Sequence, residues 1–208
     1  MWRSNGTRVK ICGITNCRDA EDALRFGADA IGFIFTKSPR QISVDNAKRI
    51  SRAVGPWIAT VGVFVNESVQ NILRIASECR LSAIQLHGDE PISDLRRLRP
   101  YRVIKSFRVA EKADLEKTRG YAAEAYLFDT KVSGVYGGTG KSFDWDLLKS
   151  DMVPKPYIIS GGLNPGNVKT VVRELSPYGV DVSSGVERSP GLKDPKLVKR
   201  FIQNAKEK

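Results

Sequence analysis

A thiol and a carboxyl group, each at the end of a short apolar segment, are the side chains of this sequence best suited to acid–base chemistry. Cys12 ends the segment 9–12, two residues after the cationic Lys10 and just before a predicted helix. Positive charge and a helix N-terminus both favour a thiolate, so Cys12 is a candidate base or nucleophile. Asp129 ends the apolar segment 125–129. A carboxyl group that shares a pocket with a thiolate can stay protonated, so Asp129 is a candidate general acid.

Each of these residues also has a purely structural interpretation. An isolated cysteine is most often a small buried apolar residue, and we expect this of Cys17 and Cys79, which lack the surroundings of Cys12. An aspartate after a strand most often caps a helix or accepts hydrogen bonds in a turn, and this interpretation of Asp129 stays open.

Arg40 and His87 are candidates for binding a substrate. Arg40 follows a predicted strand in the sequence Ser-Pro-Arg, and its planar guanidinium group suits a substrate carboxylate. It could equally be a solvated loop residue. His87 stands at the end of another predicted strand, where it either serves the site or only forms local hydrogen bonds.

Two turns rich in glycine and serine indicate a phosphate site. Gly161 and Gly162 follow the seventh predicted strand, and Ser183, Ser184 and Gly185 follow the eighth. In barrel enzymes this pair of loops commonly binds phosphate through backbone N–H groups and the N-terminus of a short helix.

A third glycine-rich segment, 134–142, ends in Gly-Lys-Ser as a P-loop does. Val135 occupies the position at which that motif requires a glycine, which excludes a P-loop. We interpret Gly137, Gly138 and Gly140 as hinges of a mobile loop that closes over the site.

The elements that must position these residues alternate between strand and helix patterns. The predicted strands cover residues 9–12, 30–35, 57–65, 83–86, 101–107, 125–129, 157–160 and 179–182. Helix N-termini are predicted at Asn16, Asn66, Asn164-Pro165 and Asp194-Pro195. The charged segment 109–123 offers few apolar positions and predicts only a weak helix.

Eight such repeats with short connections predict an α/β fold, a compact (β/α)8 barrel, with an open doubly wound sheet as the alternative. Successive side chains of a strand point to opposite faces, and several strands carry polar residues opposite their aliphatic ones. In a barrel those residues would meet at one mouth. They are Lys10 and Cys12, Gln85 and His87, Leu127 and Asp129, and Asp181 and Ser183.

The composition limits the class of protein. The chain has 208 residues, of which 41% are hydrophobic and 27% charged, and this predicts one globular domain over residues 1–208. A net charge of +11 is compatible with binding to nucleic acid or to an anionic surface. The basic residues are scattered along the chain, however, as they are on solvated helix faces. The same charge would attract a small substrate that carries phosphate and carboxylate groups.

Cysteine and histidine counts argue against other classes. Three cysteines at irregular spacing predict no disulfide framework, and a single histidine makes a zinc site difficult to assemble. No apolar segment approaches the length of a membrane span, and the polar start, 1–7, does not look like a secretory signal. We therefore expect a cytoplasmic protein without a structural metal.

Seven ordered segments, spread over nearly the whole chain, together form a specific signature. They are residues 9–15, 38–40, 85–88, 129–131, 137–141 together with 143–145, 160–163 and 180–187. On these segments the chain resembles the phosphoribosylanthranilate isomerases of tryptophan biosynthesis. The resemblance implies a small (β/α)8 barrel with a reduced fifth helix. Residues 1–7 depart from the family by extending beyond its usual start, and we expect them to be flexible.

The resemblance also implies a reaction, the Amadori rearrangement of N-(5-phosphoribosyl)anthranilate without cofactor or metal. Asp129 would be the acid that opens the furanose ring, and Cys12 the base that removes a proton from the sugar. The site would then lower the pKa of the thiol and raise that of the carboxyl group. Arg40 would bind the anthranilate carboxylate, and His87 and Asp181 would line the pocket.

Three other functions stay open at this point. Another phosphate-binding barrel would share the two late turns but would not need Cys12. A nucleic-acid-binding module fits the net charge, although the chain lacks a basic segment interleaved with aromatic residues. A barrel that binds the ligand without catalysis is disfavoured by the presence of both Cys12 and Asp129. Whether the protein is a monomer or a homodimer does not follow from the sequence.

Overall fold

A computed structural model of the chain describes residues 6–129, 145–150 and 152–207. Eight parallel strands form a closed barrel in which neighbours in sequence are neighbours in space, which confirms the barrel and excludes the open sheet. The strands are β1 (Arg8–Cys12), β2 (Ala30–Ile34), β3 (Ala59–Phe64), β4 (Ala83–Leu86), β5 (Arg102–Arg108), β6 (Ala125–Asp129), β7 (Tyr157–Ser160) and β8 (Gly179–Val182). The barrel closes between β1 and β8, where Lys10 lies opposite Asp181.

Six α-helices in the described residues cover the outside of the barrel. They are α1 (Cys17–Arg25), α2 (Val44–Val54), α3 (Val69–Glu78), α4 (Ile92–Arg97), α5 (Val168–Leu175) and α6 (Pro195–Lys206). Between β5 and β6 the chain forms only a 3-10 helix, Lys112–Thr118, which confirms the reduced fifth helix. A short antiparallel pair, β9 (Glu187–Ser189) and β10 (Leu192–Lys193), follows β8.

Side-chain alternation along the strands separates two apolar layers. Val9 and Ile11 of β1 are fully buried in the large layer between the barrel and its helices. A smaller cluster of Ala125, Leu127 and Ile158 lies on the opposite strand faces, within the barrel. Leu127, one of the residues predicted to meet at the mouth, belongs to this cluster, and the polar residues of that prediction share its strand faces.

Local sequence determines where the helices begin, and two predicted N-termini were wrong. Asn16 caps α1 by accepting a hydrogen bond from the backbone N–H of Asp19, as predicted. Ser68, not Asn66, caps α3, because Asn66 adopts a positive φ of 51° two residues earlier. The helix predicted at 164–165 begins at Val168, after a turn in which Asn164 N–H donates to the side chain of Asn167.

Several predictions lie outside the described residues. They concern the hinge glycines Gly137, Gly138 and Gly140 and most of the extension 1–7. In the described part of the chain, no helix is long and apolar enough to cross a membrane.

Candidate active site

A pocket at the carboxyl ends of the strands brings together all ten residues predicted to form the site. Its lining includes Cys12, Arg40, His87, Asp129, Gly161, Gly162, Asp181, Ser183, Ser184 and Gly185. Parallel strands present their carboxyl ends at one face of a barrel, which is where such enzymes place their ligands. The pocket therefore contains every residue that the sequence predicted for the site.

Cys12 lies at the end of β1 with only 6% of its surface exposed. Gly32 on the neighbouring strand makes room for it, because a Cβ atom there would lie 2.8 Å from Sγ of Cys12 and 3.0 Å from Nζ of Lys10. Burial raises the pKa of the Cys12 thiol, and this outweighs the attraction of the thiolate to Lys10. The expected lowering of this pKa is therefore wrong for the free protein, since the sequence showed the nearby cation but not the degree of burial.

Lys10 and Asp181 form a buried ion pair beside the thiol. Nζ of Lys10 donates to Oδ1 of Asp181 at 2.9 Å, and both side chains are 6% exposed. Burial disfavours the Lys10 ammonium group, but attraction to Asp181 and Cys12 outweighs that and raises the pKa of Lys10. Lys10 therefore stays cationic and can stabilise a thiolate once one forms. Asp181 thus lines the pocket and also binds the ammonium group of Lys10. It accepts a further hydrogen bond from Ser160 Oγ at 3.4 Å.

Asp129 ends β6, three strands away from β1 around the barrel. Its Oδ2 lies 3.4 Å from Nε2 of His87, and Nδ1 of His87 lies 3.0 Å from Nε2 of Gln85. The Gln85 amide nitrogen also donates to Ser106 Oγ at 3.2 Å. With this amide as donor, Nδ1 accepts, so the proton of a neutral His87 is on Nε2 and faces Asp129.

Arg40 lines the pocket next to a second buried group of charges, which sequence reasoning missed. Nε and Nη2 of Arg40 donate to Glu187 at 2.8 and 2.7 Å, and Nζ of Lys193 donates to Glu187 at 2.8 Å. Burial raises the pKa of Glu187, but the hydrogen bonds from Arg40 and Lys193 outweigh it and the net shift is downward. Glu187 belongs to the signature segment 180–187, but no residue pattern singled it out, and Lys193 lies beyond that segment.

The two late turns approach each other closely enough to form one site. A Cβ atom on Gly185 would lie 1.9 Å from the backbone oxygen of Leu163, so only glycine permits this contact. Gly161 and Gly162 adopt positive φ values of 84° and 67°, which side chains rarely allow. Oγ of Ser183 is buried without a hydrogen-bond partner among the described residues, which suits a ligand acceptor atom.

Comparison with known proteins identifies the family. The model of the N-(5'-phosphoribosyl)anthranilate (PRA) isomerase family matches residues 9–204. The chain belongs to this family. An N-(5'-phosphoribosyl)anthranilate isomerase from Syntrophomonas wolfei is 47% identical over 201 residues, which cover 97% of this chain and 98% of the relative.

Solved structures of phosphoribosylanthranilate isomerases share the fold. A crystal structure of the enzyme from Thermotoga maritima matches with a TM-score of 0.89 and 47% identity, over 96% of this chain and 98% of that one. A crystal structure of the isomerase in complex with reduced 1-(o-carboxyphenylamino)-1-deoxyribulose 5-phosphate matches with a TM-score of 0.86 and 44% identity, over the same shares. The isomerase family thus accounts for nearly the whole chain, and the other phosphate-binding barrels are no longer needed to explain it.

Proposed function

We propose that this pocket performs the isomerase reaction of the family with Cys12 as general base and Asp129 as general acid. The reaction is the Amadori rearrangement of N-(5-phosphoribosyl)anthranilate to 1-(2-carboxyphenylamino)-1-deoxyribulose 5-phosphate, a step of tryptophan biosynthesis. One observation supports the assignment above the others: a thiol beside a buried cation and a carboxyl group on a distant strand line one pocket, together with a guanidinium group and the two glycine-serine turns.

Asp129 acts first in this proposal. It donates a proton to the ring oxygen of the furanose while the anilinic nitrogen pushes its electron pair toward the anomeric carbon. The bond between that carbon and the ring oxygen breaks, and a protonated Schiff base forms. His87, whose Nε2 lies 3.4 Å from the carboxyl group, is placed to donate a hydrogen bond to Asp129 once the proton has left.

Cys12 acts second, as the base that removes a proton from the adjacent sugar carbon. The electron pair of the broken C–H bond neutralises the Schiff base and gives an enolamine, which tautomerises to the ketone. The thiol is protonated in the free protein because burial raises its pKa, so it must release this proton to solvent before it can act as the base. The positive charge of the Schiff base adds to that of Lys10, so both favour the thiolate when it is needed.

Two groups hold the substrate in this arrangement. The turns at Gly161–Gly162 and Ser183–Gly185 bind the phosphate through backbone N–H groups, which also fixes the sugar between acid and base. The guanidinium group of Arg40 binds the anthranilate carboxylate. Asp181 acts through Lys10 and does not itself need to contact the substrate.

The remaining expectations belong to the same proposal. The partner is a small anionic substrate and not nucleic acid or membrane, the reaction needs no cofactor or metal, and the protein acts in the cytoplasm as a single domain.

We further propose a homodimer, since the isomerase of Thermotoga maritima is described as dimeric. Trp57, 89% exposed at the amino-terminal end of the barrel, offers an apolar contact away from the site.

Turnover of freshly generated phosphoribosylanthranilate, followed as loss of its fluorescence, tests the assignment. Wild type is compared with Cys12→Ser and Asp129→Asn, and Cys17→Ser serves as the matched control for replacing a cysteine. We expect both site variants to fold and to lose turnover by orders of magnitude, because a serine hydroxyl is a far weaker acid than a thiol and an amide donates no proton at this step. Full activity in either variant contradicts its assigned role, and a folded but inactive wild type contradicts the function.

A further inference from the structure

Lys193 is a buried cation to which the reaction outlined above assigns no contact with the substrate. Its side chain is only 1% exposed, and Nζ donates to Glu187 Oε1 at 2.8 Å and to the backbone oxygen of Ser183 at 3.2 Å. Its backbone N–H donates to Asp19 Oδ2 at 2.9 Å, which fixes β10 against α1. A charge buried this deeply is costly unless it compensates another, so the position of Lys193 calls for a reason.

The geometry of Arg40 supplies that reason. The two carboxylate oxygens of Glu187 accept hydrogen bonds from Nε and Nη2, which together form one edge of the Arg40 guanidinium group. A guanidinium group has five N–H donors, so Nη1 and the second N–H of Nη2 remain as a separate edge. The Arg40 side chain is 22% exposed and lines the pocket, so this edge is available to a ligand. Arg40 would then hold two carboxylates, one of the protein and one of the substrate.

The charges of this group decide whether a second carboxylate is attracted. Arg40 and Glu187 alone are a neutral pair, which has little net attraction for an anion. Lys193 contributes one more positive charge at Oε1 of Glu187, the oxygen that also accepts from Nε of Arg40, so the three residues carry a net charge of +1. Burial lowers the pKa of Lys193, and the hydrogen bond and attraction to Glu187 limit that shift. This net charge is matched by one ligand carboxylate.

We propose that Lys193 is a specificity-determining residue, which acts through Glu187 to make the Arg40 end of the pocket selective for a ligand carrying one carboxylate. This inference rests on the proposed role of Arg40. Lys193 does not touch the substrate, because the glutamate and the backbone of Ser183 lie around its Nζ. The charge of Lys193 also favours the Cys12 thiolate, but that effect is the same for substrates with and without the carboxylate.

The test compares two substrates that differ only in this group. N-(5-phosphoribosyl)anthranilate carries the carboxylate and N-(5-phosphoribosyl)aniline lacks it, and the ratio of their kcat/KM values measures selectivity. We expect Lys193→Met, which makes the group neutral, to lower this ratio about tenfold, equivalent to about 1.4 kcal/mol of carboxylate binding. The change should appear in KM for the carboxylate substrate. Both substrates carry the same sugar phosphate, so an effect of the variant on Cys12 or on the turn at Ser183 is common to both and cancels in the ratio.

A double variant separates this effect from mere loss of structure. Glu187→Gln combined with Lys193→Met removes both buried charges and leaves Arg40 as a single cation, so the net charge is again +1. We expect the double variant to recover most of the lost selectivity, an interaction between the sites that a purely structural role does not predict. It also remains informative should Lys193→Met alone fail to fold, because no unpaired carboxylate stays buried.

Lys105→Met is the matched control, since Lys105 and Glu90 form another buried pair, 3.0 Å apart and 3% and 2% exposed. The Lys105→Met variant should have a lower free energy of unfolding but the same ratio of kcat/KM values as the wild type. A ratio unchanged in folded Lys193→Met, or equally low in the double variant, overturns the inference. Arg40→Met tells the two proposals apart: if it also leaves the ratio unchanged, the carboxylate does not bind at Arg40 and the proposed function of that residue fails.

Discussion

Replacing Lys10 by methionine tests the electrostatic basis of the proposed base. The Cys12 Sγ and Lys10 Nζ atoms both lie about 3 Å from the same point above Gly32, so they are within about 6 Å of each other. At an effective dielectric constant of about 20, two unit charges no more than about 6 Å apart attract by at least about 3 kcal/mol. Loss of that attraction should lower the population of the thiolate, and with it turnover at neutral pH, about a hundredfold.

Two readouts together check this expectation. Turnover is measured against pH, and Cys12 is alkylated with iodoacetamide in a Cys17→Ala background, with inorganic phosphate as protecting ligand. Both rates should fall about a hundredfold near neutral pH and recover as the pH rises, because removing the cation raises the pKa of the thiol further. The direction follows from the contribution of Lys10, which favours the thiolate in the native site.

Stability needs a separate control, because Lys10→Met leaves Asp181 buried without its partner. Removing one member of a buried ion pair typically costs about 3–5 kcal/mol of unfolding free energy. Lys10→Met combined with Asp181→Asn should recover much of this stability without recovering alkylation at neutral pH. If alkylation and turnover of folded Lys10→Met stay within threefold of wild type, the attraction between Lys10 and the thiolate is not what makes Cys12 a base.

Three further changes test other parts of the structure. Gly185→Ala places a Cβ atom 1.9 Å from the Leu163 oxygen, so the two turns must separate and inhibition by inorganic phosphate should weaken at least tenfold; unchanged inhibition would locate the phosphate elsewhere. Burial raises the pKa of Glu90, but hydrogen bonds from Asn66 and Lys105 outweigh it and lower the pKa overall. The stability contributed by this carboxylate is therefore present above about pH 4 and lost as the pH falls further. The difference in unfolding free energy between wild type and Glu90→Gln should shrink on acidification. A difference that stays constant with pH would contradict this expectation. Asn16→Ala removes the cap of α1 and should lower the free energy of unfolding by about 1 kcal/mol, which calorimetry would record as a fall in Tm of roughly 2–4 °C. An unchanged Tm would mean that the cap does not stabilise the protein.

Sequence patterns predicted the barrel because its strands repeat the same local rules. Val9 and Ile11 alternate with Lys10 and Cys12, and this alternation alone indicated which face would meet the helices. The two wrong helix starts arose where several capping residues stand close together. Asn66 and Ser68 are both good caps, and the choice between them depends on a long-range contact, the hydrogen bond from Asp89 N–H to the Asn66 side chain.

The site was predictable where it depends on strand ends and not where it depends on burial. Cys12 and Asp129 stand at strand ends that a closed barrel must bring to one face. The raised pKa of the thiol could not be read from spacing, because it depends on how much water the folded pocket excludes. Glu187 and Lys193 were missed for a related reason: a charged residue in a loop looks solvated until the partner that buries it is known.

The closure of the barrel between β1 and β8 has a consequence for the newly made protein. The thiol comes from the first strand, and the carboxylate that pairs with its neighbouring lysine comes from the last. Lys193, α6 and the hydrogen bond from Thr15 to Gly191 come later still. During synthesis on the ribosome, therefore, the thiol stays outside its final surroundings until nearly the whole sequence has emerged. A nascent chain stopped before β8 has the proposed base and Lys10, but neither Asp181, which pairs with that lysine, nor Lys193.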